Sequence, residues 1–191
     1  MDLDEANNIS DIRLHGSNDK LIIVGSGRVA MFIYKIALLL GYCITVVDNN
    51  AETLSRERFS EASELLLGDV VQLLRECAID ETTSIAIVTH HHEYDEPALL
   101  AVINSPARYV GVMSNRHAVT NYFSKFESLG ITEEHINQVH APIGLDIGGQ
   151  LAAEIALAAV AEIQAVKYHR SGGFMITKQS NREVEKRDDL F

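Results

Sequence analysis

Backbone amides around Gly25 and Gly27 are the first groups in this chain that could do chemistry, and what they could do is hold a phosphate. The apolar run Leu21 to Val24 breaks at Gly25-Ser26-Gly27-Arg28-Val29-Ala30 and then resumes with helical spacing. A strand, a glycine turn and a helix in that order aim free N–H groups at an anion. Gly25 is expected to make the tight turn, and Gly27 to let a pyrophosphate approach without a Cβ in the way. Ala30 is expected to pack the helix on the strand. A second strand should then end in an acidic residue some twenty positions on. Cys43-Ile44-Thr45-Val46-Val47-Asp48 supplies it. Asp48 suits a ribose diol and repels a 2′-phosphate, which favours NAD-like or adenosine-type ligands over NADP. The alternative is that Asp48 only opens the turn Asp48-Asn49-Asn50.

Three further loops carry candidate chemistry, each following a predicted strand, where ligands of open α/β sheets bind. The first is His90-His91-His92-Glu93-Tyr94-Asp95, and at least one of His90, Glu93 and Asp95 is expected to touch ligand. Three consecutive histidines cannot all face one site, so no structural metal is expected there. Asp95 is also placed to cap the helix that Pro97 starts. The second loop is Ser114-Asn115-Arg116, a helix entry followed by a cation that can clamp a phosphate or carboxylate. The third is His140-Ala141-Pro142-Ile143-Gly144-Leu145-Asp146-Ile147-Gly148-Gly149, with three glycines, a proline and one carboxylate in apolar surroundings. It is expected to lie beside the glycine loop and to end at the last helix's N-terminus as a second anion-friendly site. The plainer reading of Asp146 is a turn residue bonded to its own backbone.

The elements that must position these loops alternate along the chain. Residues 1–19 read as a mobile lead-in, 20–170 as one Rossmann-like doubly wound α/β domain with helices on both faces, and 171–191 as a charged tail. Val29, Ile33, Ile36, Ala37 and Leu40 recur at helical spacing, with Gly41 at the C-cap. Residues 51–58 suggest a short charged helix, 64–67 a strand, and 69–77 another helix. Ser84 to Thr89 and Arg108 to Met113 are apolar runs of the kind buried on both faces of a parallel sheet. Thr132-Glu133-Glu134 suggests a helix start, Asn137 to His140 a short strand. Leu151, Ile155, Ala159, Ile163 and Val166 form the stripe of a last, alanine-rich helix.

With 191 residues, 47% of them hydrophobic, the chain can bury a core but leaves no room for a Rossmann domain plus a separate catalytic domain. A formal net charge of -11 argues against nucleic acid or an anionic membrane as partner, so any anion must be held locally. Cys43 and Cys77 match no metal or redox spacing and read as reduced core thiols. The apolar stretch Val29 to Leu40 is interrupted by Lys35 and is too short to span a bilayer, and the acidic start is unlike a signal peptide. A cytoplasmic location is expected.

The glycine loop with Asp48, Thr89-His90 followed by Asp95, Val110 to Arg116, and above all Pro142-Ile143-Gly144-Leu145-Asp146-Ile147-Gly148 with Glu154-Ile155-Ala156 resemble the C-terminal Rossmann domain of the xanthine dehydrogenase accessory factor (XdhC/CoxI) family. The resemblance covers residues 20–169. It implies a maturation factor that holds the molybdenum cofactor, as molybdopterin or its dinucleotide, lets it be sulfurated, and delivers it to a molybdenum hydroxylase apo-enzyme. A sulfurtransferase and a second copy of the chain are the further partners implied or allowed. The resemblance assigns cofactor contacts to Gly25, Ser26, Gly27, Arg28, Val29, Asp48, His90, Asp95, Ser114, Asn115, Arg116, Pro142, Ile143, Gly144, Asp146 and Gly148. No turnover catalysis is assigned to any of them. The chain departs from the family at Ser114-Asn115, where a glycine-serine pair is usual, and at Gly149-Gln150-Leu151-Ala152, which lacks the usual proline. The family's N-terminal domain is not expected within the residues ahead of the glycine loop, so its role is expected to fall to a partner or be lost. Two other classes stay open on the residues alone: a small NAD-dependent oxidoreductase, and a nucleotide-sensing regulatory domain like those of potassium-uptake proteins.

Overall fold

The computed structural model describes residues 18–90 and 94–175. Six strands form one all-parallel sheet: β1 (Lys20–Val24), β2 (Cys43–Asp48), β3 (Glu64–Leu67), β4 (Thr83–Ile87), β5 (Tyr109–Val112) and β6 (Val139–His140). Their spatial order is β3-β2-β1-β4-β5-β6, so the chain winds outward from β1 to one edge and then restarts at β4 on β1's other side. That reversal leaves a crevice over the carboxyl end of β1. The helices are α1 (Arg28–Leu39), α2 (Val70–Glu76), α3 (Asp95–Val102), α4 (Arg116–Ser128), α5 (Glu133–Asn137) and α6 (Ala152–Lys167).

Alternation along the central strands makes two cores. Leu21, Ile23, Ile44, Val46, Ala86 and Tyr109 face α1 and α6. Ile22, Val24, Val47, Ile85, Ile87 and Val112 face α2 and α3, with Phe126 of α4 completing that side. Being apolar on both faces is what sequence periodicity cannot distinguish from a helix, and strand length decides it. Ala156 and Ala159 are fully buried, which lets α6 lie close along α1.

Four expectations differ from the observed fold. Residues 51–58 form turns, because side chains satisfy the backbone before a helix can: Asp48 Oδ1 accepts from Asn50 N–H and Asn50 Oδ1 from Glu52 N–H, while Leu54 and Phe59 are pinned in the core. Cys43 is exposed, since it opens β2 at the sheet's amino end, where its Sγ lies 3.1 Å from Ser63 Oγ; Cys77 is half-buried. Leu151 is the N-cap of α6 and 68% exposed, so the buried stripe starts a turn later, at Ala156. Asp95 is not a cap: Tyr94 is the N-cap of α3 and Asp95 is its first residue, fully buried. The lead-in, most of the tail, and His91, His92 and Glu93 lie outside the described residues.

Candidate functional site

The glycine loop takes its shape from contacts that admit nothing larger than glycine at one position and leave space at the other. Gly25 has φ +107°, and a Cβ there would come within 2.7 Å of Val88 O; its N–H donates to Val47 O, fastening the turn to β2. Gly27 is the N-cap of α1 in an extended conformation, and a Cβ built on it meets nothing within 4 Å. No side chain caps α1, and no acidic residue occupies its first turn. Its first amides and the positive end of its dipole are therefore presented to the crevice.

That crevice is a cavity of about 800 Å³, within the range of small-molecule and cofactor sites. Gly25, Gly27, Arg28 and Val29 form one wall, Asp48, Asn49, Asn50 and Thr53 another. The opposite side comes from Val88, Thr89, His90 and Tyr94, with Val70 and Met113 closing the apolar floor. Arg58, which the sequence pattern did not single out, also lines it and donates to Thr53 O at 2.6 Å. Its signal is hidden because 51–58 suggest a short charged helix, whereas the turns bring Arg58 to the cavity with its guanidinium on the Thr53 carbonyl.

Asp48 opens the turn and also lines the cavity. Its Oδ2 accepts from Ser26 Oγ at 2.6 Å and its Oδ1 caps the Asn50 turn, yet the carboxylate still lines the cavity. A carboxylate has about four acceptor positions, so two remain for a ribose diol. Ser26 is itself fully buried and shares its hydroxyl with Thr53 Oγ1 at 2.5 Å. Its side chain therefore positions Asp48 and does not face the cavity. In the same way Asp95 lies behind the wall, accepting from Thr89 Oγ1 at 2.5 Å and so fixing a residue that does line the site.

Ser114 and Asn115 are not among the lining residues. Asn115 Oδ1 caps α4 through Ala118 N–H, and Ser114 Oγ is buried with no hydrogen-bond partner among the described residues. Arg116 is the first residue of α4.

The Pro142 to Gly148 segment corrects the expectation that it would lie beside the glycine loop. None of its residues lines the cavity. It is hung instead between β5 and α6: Ile143 N–H donates to Val112 O, Gly144 N–H to Glu162 Oε2, and Leu145 N–H to Ala158 O. Gly144, at φ +105°, presses on α6, where a Cβ would sit 3.0 Å from Ala158 Cβ and 3.1 Å from the Ala158 and Ala159 backbone. Pro142 follows a cis peptide bond and Ile143 is buried. Asp146 and Gly148 are exposed. The start of α6 is not an open anion site, because the Glu154 carboxylate already accepts from Gln150 and Leu151 N–H. Those bonds hold the Glu154 carboxyl below its ordinary range.

Glu162 anchors this second region. It accepts from Tyr109 OH at 2.6 Å as well as from Gly144, and its other oxygen is 3.1 Å from His140 Nδ1. Burial pushes its carboxyl up, but the His140, Tyr109 and Gly144 bonds outweigh this and keep it low. Tyr109, stacked on His140, is pushed well up by burial and by the neighbouring carboxylate. Among the described residues no group of three or more His, Cys, Asp or Glu is placed to hold a metal ion, and no helix is long and apolar enough to cross a membrane.

A parallel sheet reversing at β1, with a glycine turn and an uncapped helix opening on the crevice at the reversal, defines a Rossmann-like domain. More specifically, residues 21–163 match the XdhC Rossmann domain, and the chain belongs to that family. It is 33% identical over 165 residues to the uncharacterized protein YqeB of Escherichia coli K12, covering 86% of this chain and 30% of that protein. It is 23% identical to a probable xanthine dehydrogenase subunit of Bacillus subtilis 168, covering 75% of this chain and 42% of the relative. With the molybdenum cofactor insertion chaperone PaoD of E. coli it shares 27% identity, over 48% of this chain and 29% of PaoD. The fold matches a solved xanthine dehydrogenase structure from Bacillus halodurans with a TM-score of 0.70 at 23% identity, over 81% of this chain and 44% of the other. The chain thus spans less than half the length of these relatives.

Proposed function

We propose that this domain binds the molybdenum cofactor during maturation of a molybdenum hydroxylase of the xanthine dehydrogenase type, as a cofactor-holding chaperone and not a turnover enzyme. The observation that carries the proposal is the open cradle at Gly25 to Val29, an uncapped helix start facing a cavity large enough for a cofactor. Family membership and the names of relatives such as PaoD support the cofactor's identity. Molybdopterin carries a phosphate, and its dinucleotide a pyrophosphate, either of which suits backbone amides flanked by Arg28 and Arg58. The cofactor supplies the metal chemistry of the finished enzyme. This chain's residues bind and orient: α1 takes the phosphate, Asp48 accepts from hydroxyl or ring N–H groups, and Val70, Val88 and Met113 shield an apolar face.

The Pro142 to Gly148 loop, with Asp146 exposed, then serves outside the cavity, as a face toward a cofactor-receiving apo-enzyme or a sulfurtransferase. Native mass spectrometry of protein purified from a molybdenum-replete host tests the reading. A bound mass of molybdopterin or its dinucleotide, lost in Gly27→Val, is expected. NAD as the bound species, or an empty protein, would overturn it.

A further inference from the structure

Two hydrogen-bond donors near the amino end of β5 have nothing to donate to: Ser105 Oγ and Arg108 Nε are buried without a partner among the described residues. Ser105 lies in the loop between α3 and β5, and Arg108 immediately precedes β5. Buried donors are nearly always satisfied, by protein, water or a bound ion. Both residues line one small cavity of about 160 Å³, which His135 of α5 and Gln138, the C-cap of α5, also line. It shares no lining residue with the crevice at the glycine loop and lies at the opposite end of the strands.

The Arg108 guanidinium brings charge to this spot. Its Nη2 donates to Thr82 O at 2.9 Å and to Asp19 Oδ1 at 2.5 Å, and the second oxygen of the same carboxylate accepts from Lys167 Nζ at 2.6 Å. Two cations thus share one carboxylate among the described residues, a local positive excess in a chain whose net charge is -11. All three side chains are at most 20% exposed, so solvent screens that excess poorly. His135 Nδ1 lies 3.0 Å from Thr132 Oγ1, which fixes the ring and leaves Nε2 for a ligand.

We propose that this cavity is a binding site for a small tetrahedral oxyanion of the phosphate or sulfate type, held by Ser105 Oγ, Arg108 Nε and His135 Nε2. The anion supplies the acceptor that the chain withholds from the two buried donors. Size excludes a nucleotide, because cofactor sites run to about 300–1,000 Å³. Geometry disfavours a flat carboxylate, which arginine grips through two parallel N–H groups; here Nη2 is already committed to Asp19 and Thr82. Donors from three separate segments suit the corners of a tetrahedron instead. The site does not depend on the reading of the crevice, and both can be filled at once.

Amide chemical shifts followed while inorganic phosphate is added test the proposal. Saturable shifts are expected at residues 103–110 and 135–140, in Gly27→Val as in the wild type, which separates this site from the start of α1. Ser105→Ala removes a buried hydroxyl that has no partner, so without phosphate its melting temperature should equal or exceed that of the wild type. Its phosphate affinity at this site should nevertheless fall about tenfold or more, the loss expected for one hydrogen bond to a charged group. His135→Gln leaves the Asp19 bridge intact, should weaken phosphate similarly, and keeps the test open should Ser105→Ala not fold. Sulfate should compete with phosphate, and acetate should not. The absence of saturable shifts at these amides would overturn the site, as would wild-type affinity in folded Ser105→Ala and His135→Gln. Acetate binding as tightly as phosphate would overturn the tetrahedral class.

Discussion

Gly25 and Gly27 are two residues apart and chemically identical, yet the structure predicts opposite consequences for replacing them. At Gly25 the backbone is at φ +107°, and an alanine Cβ would stand 2.7 Å from Val88 O and 3.0 Å from Thr89 Cα, both main-chain atoms that cannot rotate away. The left-handed conformation costs about 1–2 kcal/mol and the overpacking about 1–3 kcal/mol. A loss on the order of 3 kcal/mol lowers the melting temperature of a domain this size by roughly 6–12 °C. At Gly27 a Cβ enters open space, so Gly27→Val should fold, with at most about 1 kcal/mol lost from a poorer N-cap. Its two methyl groups, however, project where a phosphate must approach α1. Blocking one charge-assisted amide bond costs about 1.5–3 kcal/mol, or roughly 10- to 150-fold in affinity. Thermal melts and calorimetry with AMP, run on both variants, read the two effects separately. The reasoning fails if Gly27→Val binds as the wild type does, or if Gly25→Ala melts at the wild-type temperature.

Asp48 should reject a 2′-phosphate, so NAD is expected to bind at least about tenfold more tightly than NADP, and Asp48→Asn to narrow the gap; equal wild-type binding refutes this role. Glu162 accepts from the buried Tyr109 hydroxyl and from Gly144, so Glu162→Ala should cost about 1–3 kcal/mol for each donor left unpaired, read as a lower melting temperature. Because its native pKa is depressed, Glu162 contributes stability that is fully present above the ordinary glutamate value of about 4.3 and is lost as pH falls through the native value. Melting temperature should therefore drop on acidification in a way that Glu162→Gln partly removes; parallel pH profiles for the two proteins would count against the anchor.

The fold was legible wherever pattern and punctuation agreed. β1, β2 and β4 are short, β-branched and bounded by turn residues, and Gly41 and Thr132 sit at helix ends as their chemistry dictates. Misreadings arose where long-range contacts overrode local preference. Charged residues at 51–58 favour a helix in isolation, but Leu54 and Phe59 are drawn into the core and Arg56 reaches the Ala62 carbonyl, which turns the segment into a wall of the cavity. Asp95 has the composition of a cap, yet the hydroxyl that claims it is Thr89, six residues earlier and at the end of the strand run. The hydrogen bond from Asn49 Nδ2 to Tyr94 OH leaves no local trace, because it depends on β2 and β4 both flanking β1.

The strand order explains why the motif most specific to the family does not line the cavity. β1, β2 and β4 meet at the reversal, so loops after them converge on one crevice, whereas the Pro142 segment follows β6 at the far edge of the sheet. To approach the centre it would have to cross β5, and its own bonds to Val112 and Glu162 hold it on that side. Two separate surfaces result, one a cavity at the uncapped start of α1 and one shaped by buried backbone contacts and ending in exposed loop residues. The net charge of -11 sharpens the division, since a field of that sign repels anionic ligands generally, so under the proposed function capture falls to the local cations Arg28 and Arg58 and the α1 amides. Under the proposed function, a domain that holds a phosphate at one surface while keeping the other available can be approached by a second protein without displacing its cargo. That is the property a handing-over role requires.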